Sequence, residues 1–122
     1  MRFASLITAV NVLISCGFSI VGLIRPEAML PTGSVPNQAS FIFASYAAAR
    51  IIPLAMIALF AIYKQSRSAL IVVGILAGLV QLTDSLVGLY QHDLGKTSGP
   101  LVIGCLQLFA IALLTRHSRE TA

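Results

Sequence analysis

Hydrophobic side chains run along this chain in four long blocks, over residues 3–24, 39–63, 68–91 and 100–115, separated by charged and turn-forming residues. The blocks are continuously apolar and rich in Leu, Ile and Ala, without the alternation of a barrel strand, so each predicts an α-helix. Crossing about 30 Å of hydrocarbon takes about 20 helical residues. The first three blocks exceed that length and the fourth approaches it. For the fourth, Pro100 suits a first helical turn, Thr97 or Ser98 can cap the entry, and Arg116 can snorkel from the far end.

Only helices and closed barrels satisfy their backbone in lipid. The pattern therefore predicts an all-α membrane protein, four transmembrane helices in an up-down-up-down antiparallel bundle, as one transmembrane domain over residues 1–122. The link over residues 25–38 holds Pro26, Pro31, Pro36 and Gly33 and is expected to be an irregular lid on the outer face rather than a helix. The other two links are tight.

Composition agrees with lipid as the solvent. The chain is 57% hydrophobic and only 10% charged, with a mean hydropathy of +0.92, whereas soluble domains carry about 25% charged residues. The net charge of +4 does not form a nucleic-acid patch, because the basic residues sit mostly at the ends of the apolar blocks. Arg2, Lys64, Arg67, Arg116 and Arg119 fall on one side and Arg25 and Lys96 on the other, which places both termini in the cytoplasm. Cys16 and Cys105 lie inside apolar blocks with no CxxC pair and read as small buried hydrophobes. The segment Leu13-Ile14-Ser15-Cys16 resembles a lipoprotein cleavage box, but the apolar run continues through residues 17–24, where a lipidated cysteine is normally followed by polar sequence.

The informative residues are those that are costly in a bilayer: Arg50, Asp84, Gln81, Gln107, Asn11 and, less so, Tyr46. A mid-helix Arg or Asp costs about 2.5 to 3.5 kcal/mol on insertion scales and normally turns inward to a partner. Arg50 and Asp84 are the natural partners for each other, since their depths, about 17 and about 10 Å from the outer helix ends, differ by less than an arginine's reach. Gln81 lies one turn from Asp84, Tyr46 one turn from Arg50, and Gln107 about 10 Å in from Pro100. This predicts one polar layer in the outer half of the bundle. Thr8, Asn11 and Ser15 form an inward stripe on the first helix, with Asn11 nearer the cytoplasmic side and expected in a separate hydrogen bond. Pro53 removes the hydrogen bond to the Ala49 carbonyl beside Arg50 and predicts a kink. Gly74 and Gly78, continued by Gly88, offer a close-packing face to a helix of this chain or to a second copy in a homodimer. His92 marks the outer mouth of the third helix, two turns from Asp84, where a proton relay is conceivable.

No HExxH, GxSxG, Walker loop or glycine-rich dinucleotide turn occurs, and the His, Cys and carboxylate residues are too few for a metal site, so neither metal nor cofactor is expected. Any chemistry must run on Arg50 and Asp84. The leading reading is a small polar or amphipathic ligand bound at Arg50, Asp84, Tyr46, Gln81, Gln107 and His92, with the lipid bilayer as surroundings. Rival readings give Asp84 an acid or base role in a membrane-embedded isomerase or cyclase, make the chain a proton-coupled transporter, or leave an Arg–Asp clasp in an accessory subunit.

The stretches Gly22-Leu23-Ile24-Arg25-Pro26, Ser45-Tyr46-Ala47-Ala48-Ala49-Arg50 and Leu82-Thr83-Asp84 resemble those of small four-helix bacterial integral membrane proteins of unknown function and, more loosely, the DoxX-like proteins. The likeness runs over nearly the whole chain. It implies the four-helix fold, a bacterial inner membrane, and Arg50 and Asp84 as the positions of interest, with no agreed reaction or cofactor. Small multidrug exporters are similar in length, but they carry a carboxylate in the first helix, where this chain has Asn11.

Overall fold

The computed structural model describes residues 1–120, with side chains described through His117. The side chain of Arg119, counted above among the basic residues, lies outside the described residues. The chain forms α1 (Arg2–Ile24), a single 3-10 turn (Pro26–Met29), α2 (Gln38–Tyr63), α3 (Arg67–Tyr90) and α4 (Leu94–Glu120), with no strand among the described residues. Four helices of 23, 26, 24 and 27 residues are each about 35 to 40 Å long, more than the hydrocarbon thickness. All four are long and apolar enough to cross a membrane. The predicted four-helix transmembrane architecture is therefore what the chain adopts.

Side chains fix where the helices start. Asn37 and Ser40 form a reciprocal capping box on α2, the Asn37 carboxamide accepting from the Ser40 amide at 2.9 Å and the Ser40 hydroxyl from the Asn37 amide at 2.7 Å. Ser66 caps α3 through the Ala69 amide, and Asp93 accepts from the Lys96 amide at 3.1 Å. The two tight links share one device. Gln65 and His92 adopt left-handed φ values of 50° and 55°, and the following residue closes the turn, Ser66 N–H onto Ala61 O and Asp93 N–H onto Gly88 O.

Two boundaries differ from expectation. The helix α4 starts at Leu94, six residues before Pro100, because Asp93 supplies the cap and the polar 95–99 stretch still winds as helix. Pro100 thus lies inside α4, where its missing N–H leaves the Lys96 carbonyl without a helical donor. The 25–38 link is not wholly irregular, since Pro26 at the first position sets up the 3-10 turn. Gln91 Nε2 and Lys96 Nζ tie this link down by donating to the Met29 and Leu30 carbonyls.

Small residues decide which helices sit closest. A Cβ on Gly74 would stand 2.4 Å from Ile111, on Gly78 2.7 Å from Leu108, and on Gly88 2.3 Å from the Lys96 carbonyl oxygen. These glycines let α3 press against α4 within one chain, so the Gly74/Gly78/Gly88 face is already covered and offers nothing to a second copy. Ala44, Ala48, Ala55 and Ala58 give α2 a similarly shallow buried face. Among the described residues α2 and α4 do not approach each other, whereas α1 and α3 touch across the bundle. The cross-section is a rhombus with α1 and α3 on its short diagonal.

Candidate functional site

The centre of the bundle is polar and closed. Asn11 Nδ2 donates to Gln107 Oε1 at 3.2 Å, and Gln107 Nε2 donates to Thr8 Oγ1 at 2.8 Å. Gln81 Nε2 donates to Asn11 Oδ1 at 2.7 Å and to Ser15 Oγ at 2.8 Å, while the Ser15 hydroxyl donates to the Asn11 carbonyl. Thr8 and Gln107 are 0% exposed, Asn11 1% and Gln81 4%. In hydrocarbon an unpaired amide is costly, so this ring of polar side chains, joining α3 and α4 through Asn11 and its neighbours on α1, specifies which faces meet.

The inward stripe of Thr8, Asn11 and Ser15 is present as expected, and so are Gln81 and Gln107. Asn11, however, makes no separate hydrogen bond. It is the hub of the ring. The earlier start of α4 explains this, because it places Gln107 about 20 Å from the loop end of its helix rather than about 10 Å, level with Asn11. Gln81 and Gln107 are consumed by the ring, so they do not project toward Arg50, and α2 contributes nothing to it.

Arg50 and Asp84 do not meet. Both are exposed, and no ion pair or hydrogen bond joins them among the described residues. Their rotation on the helices gives the reason. Arg50 continues the row Leu54–Ala58–Ala61 on α2, and Asp84 continues the row Val73–Ala77–Val80 on α3. The buried clusters shared by these two helices use residues 54–62 of α2 and 70–77 of α3, the half next to the 64–66 turn. Beyond that level the small-residue faces draw α2 to α1 and α3 to α4. The two charges stand on opposite rims of the α2–α3 seam where its packing ends. Counted from the 64–66 turn, Asp84 lies about 6 Å nearer the loop end than Arg50. Tyr46, one turn from Arg50, is likewise 59% exposed.

Behind the rims lies a crevice of about 10 Å³, walled by Ile51 and Leu54 of α2, Ala77 and Val80 of α3, and Asn11, Val12 and Ser15 of α1. That is room for about one water molecule, with Asn11 and Ser15 as its polar partners. The crevice therefore ends at Asn11 and Ser15, on the edge of the amide ring.

His92 belongs elsewhere. It lies in the α3–α4 turn, on an open cleft of about 550 Å³ with Pro31, Thr32, Gln91, Asp93, Leu94 and Gly95. There the Lys96 backbone N–H and then the Lys96 charge, 3.6 Å from the carboxylate, hold the Asp93 carboxyl below its ordinary range. At the opposite end Arg67 Nη2 donates to the Leu114 carbonyl, an α3–α4 tie that the apolar pattern does not reveal. No group of three or more metal-ligating side chains occurs among the described residues. A comparison of the chain with family models, curated proteins and solved structures finds no match in any of the three.

Proposed function

We propose that this chain is a membrane-embedded binding protein that takes a small amphipathic guest sideways from the lipid at the α2–α3 seam. One observation carries the reading: a guanidinium near the middle of α2 and a carboxylate on α3 are both exposed beside the α2–α3 contact, and neither has an ion-pair or hydrogen-bond partner among the described residues. Arg50 has five donors for an anionic or carbonyl oxygen. Asp84 accepts from a donor about one turn nearer the loop end, and Tyr46 adds a hydroxyl at the rim. The apolar walls of Ile51, Leu54, Ala77 and Val80 suit a hydrocarbon portion.

The test uses a long-chain fatty acid carrying a photoreactive group, added to the protein in nanodiscs. A charge-assisted hydrogen bond is worth about 1.5 to 3 kcal/mol, so Arg50→Met should lower labelling at least about tenfold while helical content is unchanged. Labelling that does not depend on Arg50 removes the reading.

The same proposal places the protein in a bacterial inner membrane beside the four-helix proteins that its 45–50 and 82–84 stretches resemble, with both termini and the 64–66 turn in the cytoplasm. The charge asymmetry supports this orientation. Arg2, Lys64, Arg67 and Arg116 crowd one end, and Lys64 lies 5.7 and 5.8 Å from the Phe60 and Tyr63 ring centres, an arrangement suited to an interface. Of the two basic residues at the other end, Lys96 is already engaged by Asp93. A membrane-impermeant maleimide added outside intact cells should miss a cysteine placed at Gln65 and reach one placed at Ser34; the reverse result inverts the topology.

A further inference from the structure

We infer that the protein stands in the bilayer as a pair of copies, with Arg50 of each facing Asp84 of the partner subunit. The inference rests on the reading of these two side chains as recognition residues, and it supplies the wall that the seam lacks. A single chain leaves both charges exposed at membrane depth without a counter-charge among the described residues, the situation that membrane helices resolve by association.

The placement of the charges is self-complementary. Arg50 rises on the α2 rim of the seam and Asp84 on its α3 rim. A two-fold rotation about the membrane normal, with its axis in front of the seam, sets α2 of one copy opposite α3 of the other. Depth is conserved by that operation. Each guanidinium then confronts a carboxylate about 6 Å nearer the loop end, a distance the arginine side chain spans, and the pairing occurs twice.

The surroundings fit. Phe43 and Ile57 on α2 and Leu76 and Val87 on α3 are exposed beside the two charges, giving an apolar border on both sides of the axis. Such a border suits lipid as well as protein, and the charges are what select a second copy. The glycine face of α3, the other candidate for self-association, is occupied by α4. Two seams brought face to face also share one cleft between the copies that a guest enters from the lipid at its sides, and a guanidinium held along one edge by a carboxylate keeps its other edge for that guest.

Association is measured by energy transfer between labelled copies in proteoliposomes. The wild type should pair, and Arg50→Asp and Asp84→Arg should each weaken pairing at least about tenfold. Mixing the two variants should restore a heterodimer, because every charge then meets its opposite only across the interface. A clasp within one chain gains nothing from mixing. Because a charge reversal could prevent folding, a second measurement leaves both charges in place: with Cys16 and Cys105 replaced by serine, copies carrying Tyr46→Cys and copies carrying Val87→Cys should oxidise to a mixed disulfide in excess of either like pair. A monomeric wild type, a mixture no better associated than its components, or absence of the mixed disulfide overturns the pairing. Arg50-dependent labelling by the photoreactive fatty acid on a monomer would sink the pairing and spare the binding reading. Pairing without such labelling would do the reverse.

Discussion

Gly88→Ala should destabilise the bundle by about 3 kcal/mol, near the upper end of typical overpacking costs, as read from unfolding in mixed micelles. The single methyl group added would stand 2.3 Å from the Lys96 carbonyl oxygen, 2.4 Å from its carbon and 2.6 Å from the Thr97 nitrogen. All three atoms are backbone, so no side chain can rotate away. Nor can α4 retreat freely, because the 91–93 turn joins it to α3 directly below and the Ser85 hydroxyl donates to the Thr97 carbonyl at 2.8 Å. The collision has a local origin in Pro100, since the carbonyl that presses on Gly88 is the one that lost its helical donor to the proline ring. Gly17→Ala provides the contrast. Nothing lies within 4 Å of its added Cβ, and in a helix interior the substitution should stabilise by about 0.5 to 1 kcal/mol. Equal effects at the two positions would refute the packing argument.

The second large effect belongs to Gln107→Leu. Leucine fills similar space but strands the Asn11 amide, which loses its acceptor, and the Thr8 hydroxyl, which loses a donor. Measured hydrogen bonds between membrane helices are weaker than hydrocarbon transfer would suggest. About 1 kcal/mol for each stranded group, or about 2 kcal/mol in all, is therefore the expected loss. Thr8→Val in the same background removes one of the two stranded groups, so the double variant should be less destabilised than the sum of the singles. A double-mutant cycle measures that coupling, and strict additivity would mean that the ring is not a cooperative unit.

Much of this arrangement was legible along the chain, and what was not has identifiable causes. The three-and-four spacing of Thr8, Asn11 and Ser15 announced an inward face on α1, and the cost of an amide in lipid did the same for Gln81 and Gln107. The partners of these residues could not be read, because hydropathy marks where a helix meets lipid and not where it begins. The polar residues 95–99 hid the first turns of α4, and the wrong origin put Gln107 well over a turn too shallow. Depth alone suggested that Arg50 would reach Asp84. The missing information was rotational and tertiary: both residues sit on rows that are buried farther down, and they are left on the rims because alanine and glycine faces pull their helices toward other neighbours. The glycines in α3 signalled close approach, but only Ile111, Leu108 and the Lys96 backbone show whose approach it was.

The amide ring that binds α1, α3 and α4 has a consequence for how the molecule responds to an energised membrane. Thr8, Asn11, Ser15, Gln81 and Gln107 carry no net charge, so a voltage across the bilayer exerts no net force on the groups that hold the helices in register. The field couples instead to Arg50 and Asp84, with at most about 2.3 kcal/mol per elementary charge for each 100 mV fully traversed. Being of opposite sign, they are driven in opposite directions along the normal. The mid-membrane electrical handle of this protein thus lies at the α2–α3 seam, while the polar side chains at its centre are electrically silent.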